Sequence, residues 1–436
     1  MLQFLNTNHI LYEHQYGFRS NHSTIHPIMH LLKHISDNSD KPTKDFTLGL
    51  FLDLSKAFDT INHETLLTKL HHYGIRGVAN SWFRSYLTNR SQFTEVHHHQ
   101  SPIHQVSCGV PLGDILGPIL FLIYINDIKS STNLNILSFA DDTTGYLSHF
   151  NIETLYRTVN NEIAKLSDWF AANKLSLNIK KTKYTLFSPQ HTKIPLAHNN
   201  LNISLNGTHL TRVGKNFPET FIKFLGINMD EHLTWNKHID MIRTKLSRSI
   251  FALNRVKHIF PHDIMKCLYF SLVHSHIMYG ILVWGNAKSI QRIEILQKRA
   301  IRIINNKSYR AHTEPLFKSN NILTVRDLYK QQVCLFIHDF KYKRLPASFS
   351  DFFPASDGSN VSSRRVHHIP LSIPMSRTAF SSHLPTHSFP IIWNSIHENT
   401  LSISNRNIFK SSLKSQLLNA YSARVKCNNP LCPDCK

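Results

Sequence analysis

Ser138-Phe139-Ala140-Asp141-Asp142-Thr143-Thr144 sets two adjacent carboxylates between an apolar run, Leu134 to Phe139, and a second mixed run, Thr143 to Leu147. This pattern predicts strand, tight turn, strand, with the acids at the tip. Successive side chains on a strand point to opposite faces, so the turn decides whether both acids serve one site. Neighbouring carboxylates repel, and burying them unpaired is costly, whereas a divalent cation removes that cost. A solvated Asp-Asp turn is the plain alternative, and the pair alone does not choose between the two.

A second acidic strand end changes the balance. Phe46 to Leu52 reads as a buried strand ending at Asp53, followed by Leu54-Ser55-Lys56-Ala57-Phe58-Asp59. If the two strands lie side by side, Asp53 meets Asp141 and Asp142. Three such carboxylates would hold two Mg²⁺ ions about 3.5–4 Å apart, which activates a 3′-hydroxyl and steadies a leaving pyrophosphate. Phe58 would then stand near the sugar of a bound nucleotide.

Five stretches in order extend this: FLDLSKAFDT (51–60), GVPLGDILGPILFLIYINDI (109–128), SFADDTT (138–144), NKLSLNIKKTKY (173–184) and KFLGINMD (223–230). Together they resemble the reverse transcriptases of non-LTR (LINE-like) retrotransposons, from Tyr16-Gly17-Phe18-Arg19 to Phe389-Pro390-Ile391-Ile392-Trp393-Asn394. The resemblance implies an α+β right-hand polymerase. Partial fingers would occupy 1–45, a palm with an antiparallel sheet 46–232 and a helical thumb 233–345. A flexible linker and basic, Cys-containing C-terminal extension would occupy 346–436. The family carries more fingers sequence upstream, so the chain reads as N-terminally truncated.

The resemblance also assigns roles. Asp53, Asp141 and Asp142 are the metal ligands and catalytic acids, with Mg²⁺ or Mn²⁺ as the ions. Phe58 excludes the ribose 2′-hydroxyl. Gly109, Pro111 and Gly113 shape the nucleotide pocket. Lys181 protonates the leaving pyrophosphate, with simple phosphate contact by Lys180, Lys181 or Lys183 as the other reading. Arg19 lies near the triphosphate or the template backbone, or is a plain surface arginine. Lys223, Phe224, Leu225 and Gly226 form a hairpin gripping the primer end. The implied partners are an RNA template, a DNA primer and dNTPs, and the work is intracellular with access to the nucleus if the element is mobile. The chain departs from the pattern at Leu112 and Asp114, where the family has Gln and Ser. A lost amide donor and an added negative charge each cost about 1–3 kcal/mol if desolvated. A catalytically impaired protein that only binds RNA or duplex is therefore the alternative.

Composition agrees with a nucleic-acid partner. Lys and Arg number 49 against 28 Asp and Glu, a net charge of +21, with 30 histidines besides. That excess points to a polyanion. From Lys237 to Arg302 there are 12 basic residues and three acids, with Arg243, Lys245 and Arg248 within about one helical turn, a pattern suited to phosphate backbones. No apolar run reaches the eighteen residues of a membrane span. Cys427, Cys432 and Cys435 have knuckle-like spacing, but structural zinc takes four ligands, so a zinc site and a reduced tail both stand.

Elsewhere, periodicity predicts helices over Asn62–Tyr73, Gly117–Ile128 and Ile152–Trp169. Trp82, Phe83, Tyr86 and Leu87 recur at helical spacing and read as core rather than as a base-stacking platform. His97, His98 and His99 read as a solvated turn. Residues 189–216 read as a strand-poor connection, and Ser, Pro and His enrichment over 346–390 reads as linker.

Overall fold

The computed structural model describes residues 1–111, 113–189, 201–353 and 371–424. These form two compact units, one made of Met1–Leu31 with Asp37–Ile222 and one made of Leu32–Ser36 with Lys223–Lys436. The fold is α+β, as expected.

The first unit is built on a five-stranded sheet. Its strands are β1 (Phe46–Leu52), β2 (Asn135–Phe139), β3 (Asp142–His149), β4 (Lys183–Phe187) and β5 (Thr211–Val213), in the order β5-β4-β1-β3-β2. All pairs are antiparallel except β5 with β4. The central strand β1 is buried from Thr47 to Leu52, which explains its near-continuous apolar run: neither face meets water. Short β5 was missed in the 189–216 stretch because three residues, Thr211 to Val213, carry too little alternation to read as a strand. Helix α1 (His63–His72) starts where Asn62 accepts from the Thr65 amide at 3.0 Å. Helix α2 follows (Gly77–Leu87), then α3 (Leu116–Ile125), whose residues Ile119 to Ile125 are all buried. A helix apolar all round belongs inside, and α3 shares one core with Leu48, Leu50 and Leu52 of the sheet.

Helix α4 (Ile152–Ala172) buries Leu155, Val159, Ile163 and Leu166 and also Glu162. The Glu162 carboxylate accepts from the Lys165 ammonium (2.6 Å), the Asn133 amide (2.6 Å) and the Thr132 hydroxyl (2.9 Å). Burial alone would raise its pKa, but these donors outweigh it and hold the carboxyl down at about 2. The depressed value means its stabilisation is present above the unfolded pKa and is lost as pH falls towards 2. Glu162→Gln is expected to cost about 2–3 kcal/mol at pH 7. Thermal melts should show the variant losing less stability than wild type between pH 4.5 and 2.

The second unit is helical after a short hairpin, Ile222–Phe224 with Ile227–Met229. Helix α5 (Asn236–Val256) buries Ile239, Ile242, Leu246, Ile250 and Leu253 and packs on α6 (Gln291–Ile304). Helix α7 (Val325–Lys341) meets α8 (Pro385–Asn394) and α9 (Arg406–Arg424). Within 346–390, residues 371–380 carry no helix or strand and bury none of their side chains, whereas other described parts are packed. Phe349, Phe352, Phe353 and Phe389 are buried and gather around Phe336, and Pro385 opens a helix at the position proline favours. Among the described residues no helix is long and apolar enough to cross a membrane.

Candidate active site

Antiparallel register brings the acidic strand ends together. Leu52 of β1 pairs with Thr143 of β3, so one further step sets Asp53 opposite Asp142. Asp142 in turn pairs with Phe139 across the β2–β3 turn, leaving Ala140 and Asp141 at its tip. Ala140 turns with φ +55°. Asp142 is open to solvent, yet its pKa is raised by the surrounding protein and by the charges of Asp141 and Asp53. The repulsion is the part of that shift a bound cation would reverse. Carboxylate oxygens are what hard divalent cations take, so the donor set fits such an ion. Among the described residues no three His, Cys, Asp or Glu side chains are already gathered closely enough to hold a metal. The three aspartates are neighbours rather than a closed cage.

Backbone ties fix each side. The Asp53 carbonyl accepts from the Asn178 amide at 2.8 Å, and its amide donates to the Thr182 hydroxyl at 3.3 Å. This places 173–184 beside the acid, and Lys181 Nζ lies 3.9 Å from Asp53 Oδ2. Lys183 pairs instead with Glu219. Of the lysines the sequence left open, Lys181 therefore faces Asp53.

An N-terminal segment braces the acidic turn, a feature the sequence reading missed. The Tyr16 amide donates to the Ser138 carbonyl (2.8 Å), and the Ser138 amide donates to the His14 carbonyl (3.0 Å). Buried Gln15 accepts through Oε1 from the amides of both Gly17 (2.8 Å) and Ala140 (3.0 Å). A Cβ on Gly17 would stand 2.2 Å from the Ala140 nitrogen, so only glycine lets the segment lie this close. Arg19 Nη1 donates to the carbonyls of Tyr12 (2.9 Å) and Gln15 (3.1 Å), and burial lowers its pKa. That side chain holds the brace's own backbone.

Phe58 stacks on Phe121 (4.4 Å between centroids) and meets Phe18 edge-on. Gly109 has φ +86°, and a Cβ there would stand 2.7 Å from the Asp59 carbonyl oxygen. Its amide donates to the Ile61 carbonyl, and Val110's donates to that of Phe58 (3.0 Å). The 109–111 loop thus lies along the segment that carries Phe58. Gly113 turns with φ +85° in open space. Leu112 lies outside the described residues, as do Cys427, Cys432 and Cys435. Asp114 accepts a hydrogen bond from the Tyr86 hydroxyl, which lowers its pKa, so its charge is partly engaged.

In the second unit, the Leu225–Gly226 turn is closed by the Tyr279 hydroxyl donating to the Leu225 carbonyl at 2.6 Å. Lys223 is exposed and Phe224 buried, so Phe224 supports the hairpin from inside. Arg243, Lys245 and Arg248 are exposed on α5, and nearby Asp240 is engaged by Arg292 at 3.0 Å.

Comparison with known proteins bears on these features. Residues 1–229 match the family model described as reverse transcriptase (RNA-dependent DNA polymerase). The probable RNA-directed DNA polymerase from transposon BS of Drosophila melanogaster is 27% identical over 338 residues, 73% of this chain and 35% of that protein. The polymerase from mobile element jockey of the same species is 26% identical over 324 residues, 69% of this chain and 33% of its own length. The chain thus spans about a third of the curated relatives it matches. A telomerase of Candida albicans overlaps at a TM-score of 0.37 and 12% identity, covering 74% of this chain and 56% of its own, too remote to carry an argument. On the family match over more than half its length, the chain belongs to the reverse transcriptases and is similar to those of non-LTR, LINE-like elements.

Proposed function

We propose that this chain adds deoxynucleotides to a primer 3′ end, copying an RNA template. The observation that carries the reading is the register that sets Asp53 and the Asp141–Asp142 turn at adjoining strand ends within the matched region. Asp53, Asp141 and Asp142 would hold Mg²⁺ or Mn²⁺, which supply charge neutralisation and an activated 3′-hydroxyl. Lys181, beside Asp53, delivers a proton to the departing pyrophosphate. Phe58, held between Phe121 and Phe18, is a rigid wall against a 2′-hydroxyl. The Gly109 loop offers backbone to the nucleotide. The exposed bases of α5 suit phosphates read without sequence.

Primer extension on poly(rA)/oligo(dT) with Mg²⁺ or Mn²⁺ tests this. A ladder of extended products is expected. A mobility shift without extension would contradict it and leave a duplex-binding protein, and shortening of the labelled primer would point to a nuclease.

A further inference from the structure

Helix α2 does not bury its aromatic stripe as one. Phe83 and Leu87 are buried, but Trp82 is 53% exposed and Val78, one turn earlier, 89%. The Trp82 and Tyr86 rings lie parallel within 9°, centroids 5.6 Å apart. Arg90 follows at the same spacing, its guanidinium 5.5 Å from the Tyr86 centroid. The Tyr86 hydroxyl is tied to Asp114, and burial together with that carboxylate pushes its pKa up to about 12. One member of the column is therefore fixed to the glycine-containing loop beside Phe58, and its indole end is open.

We propose that the Trp82–Tyr86–Arg90 column is a stacking surface for an unpaired nucleic-acid base, that of the single strand leading to the site. The identification of that strand as template rests on the polymerase reading, whereas the stacking itself does not. A flat π face accepts any base, which suits a strand whose sequence varies. An arginine over an aromatic ring extends the column and supplies a cation for the adjoining phosphate. A net charge of +21 favours a polyanionic occupant.

Trp82 provides its own probe. Trp235, Trp284 and Trp393 are buried, and Trp169 is half-buried beneath the Lys69 ammonium at 5.0 Å. Single-stranded oligo(rU) is expected to quench the intrinsic fluorescence of the wild type, and the quench should be lost in Trp82→Phe, which keeps an aromatic face and most of the affinity. Trp82→Ala should weaken binding of a duplex carrying a 5′ overhang about tenfold, the scale of one base–aromatic stack. Blunt duplex should bind both proteins alike. Equal overhang binding by Trp82→Ala and wild type would overturn the proposal. So would fluorescence that follows protein concentration rather than oligonucleotide, the mark of a protein occupant. Wild-type primer extension, run in parallel, separates the two readings. Extension without a Trp82 effect removes the stack alone, and a Trp82 effect without extension keeps the stack and removes the polymerase.

Discussion

Asp141→Asn is expected to lower primer extension at least a thousandfold, about 4 kcal/mol of barrier, while the protein stays folded. Asp141 sits at the turn tip, half exposed, and among the described residues no hydrogen bond to its side chain holds the fold together. The substitution keeps the shape and removes one of three coupled charges. Without divalent cation, the variant should melt at or slightly above the wild-type temperature, because repulsion is relieved. With Mg²⁺ the order should invert, since a cation stabilises the state that binds it. Retention of most of the activity would remove Asp141 from the chemistry.

Gly17→Ala should act through position rather than charge. Its new methyl would stand 2.2 Å from the Ala140 nitrogen and 2.9 Å from its Cα, both backbone atoms that no side-chain rotation can clear. Either the brace detaches or the acidic turn moves. Overpacking of this kind costs about 1–3 kcal/mol, which lowers the melting temperature by roughly 3–10 °C in a unit of this size. Shifting the turn by an ångström should reduce the extension rate about a hundredfold. A variant that melts and extends like wild type would show that the brace does not set the turn.

The two halves of the acidic site were legible for one reason: each is an apolar run that stops at aspartate. Phe46–Leu52 is a strand whichever neighbours it acquires, and SFADDTT is a hairpin by alternation and turn alone. Their adjacency was not legible, because register is a long-range property that these residues do not encode separately. The contact of Gln15 and Gly17 with the acidic turn was not legible for the same reason: their partner Ala140 lies more than 120 positions away. Trp82 and Tyr86 share a spacing with Phe83 and Leu87, and spacing cannot say which of two adjacent stripes faces the core. Phe389 sits at the end of a Ser- and Pro-rich stretch whose composition mimics a loop, although Pro385 opens a helix there. The α5 bases were legible as a set because one-sided charge is itself the signal.

The sharing of divalent cations by carboxylates from two strands is tested most directly by anomalous diffraction from crystals of the protein with primer–template, an incoming nucleotide and Mn²⁺. Manganese peaks bonded to Asp53 and to the Asp141–Asp142 turn together are predicted, and both peaks should vanish or weaken in Asp53→Asn. Manganese bound by one strand alone, or none near these residues while nucleic acid is present, would contradict the account.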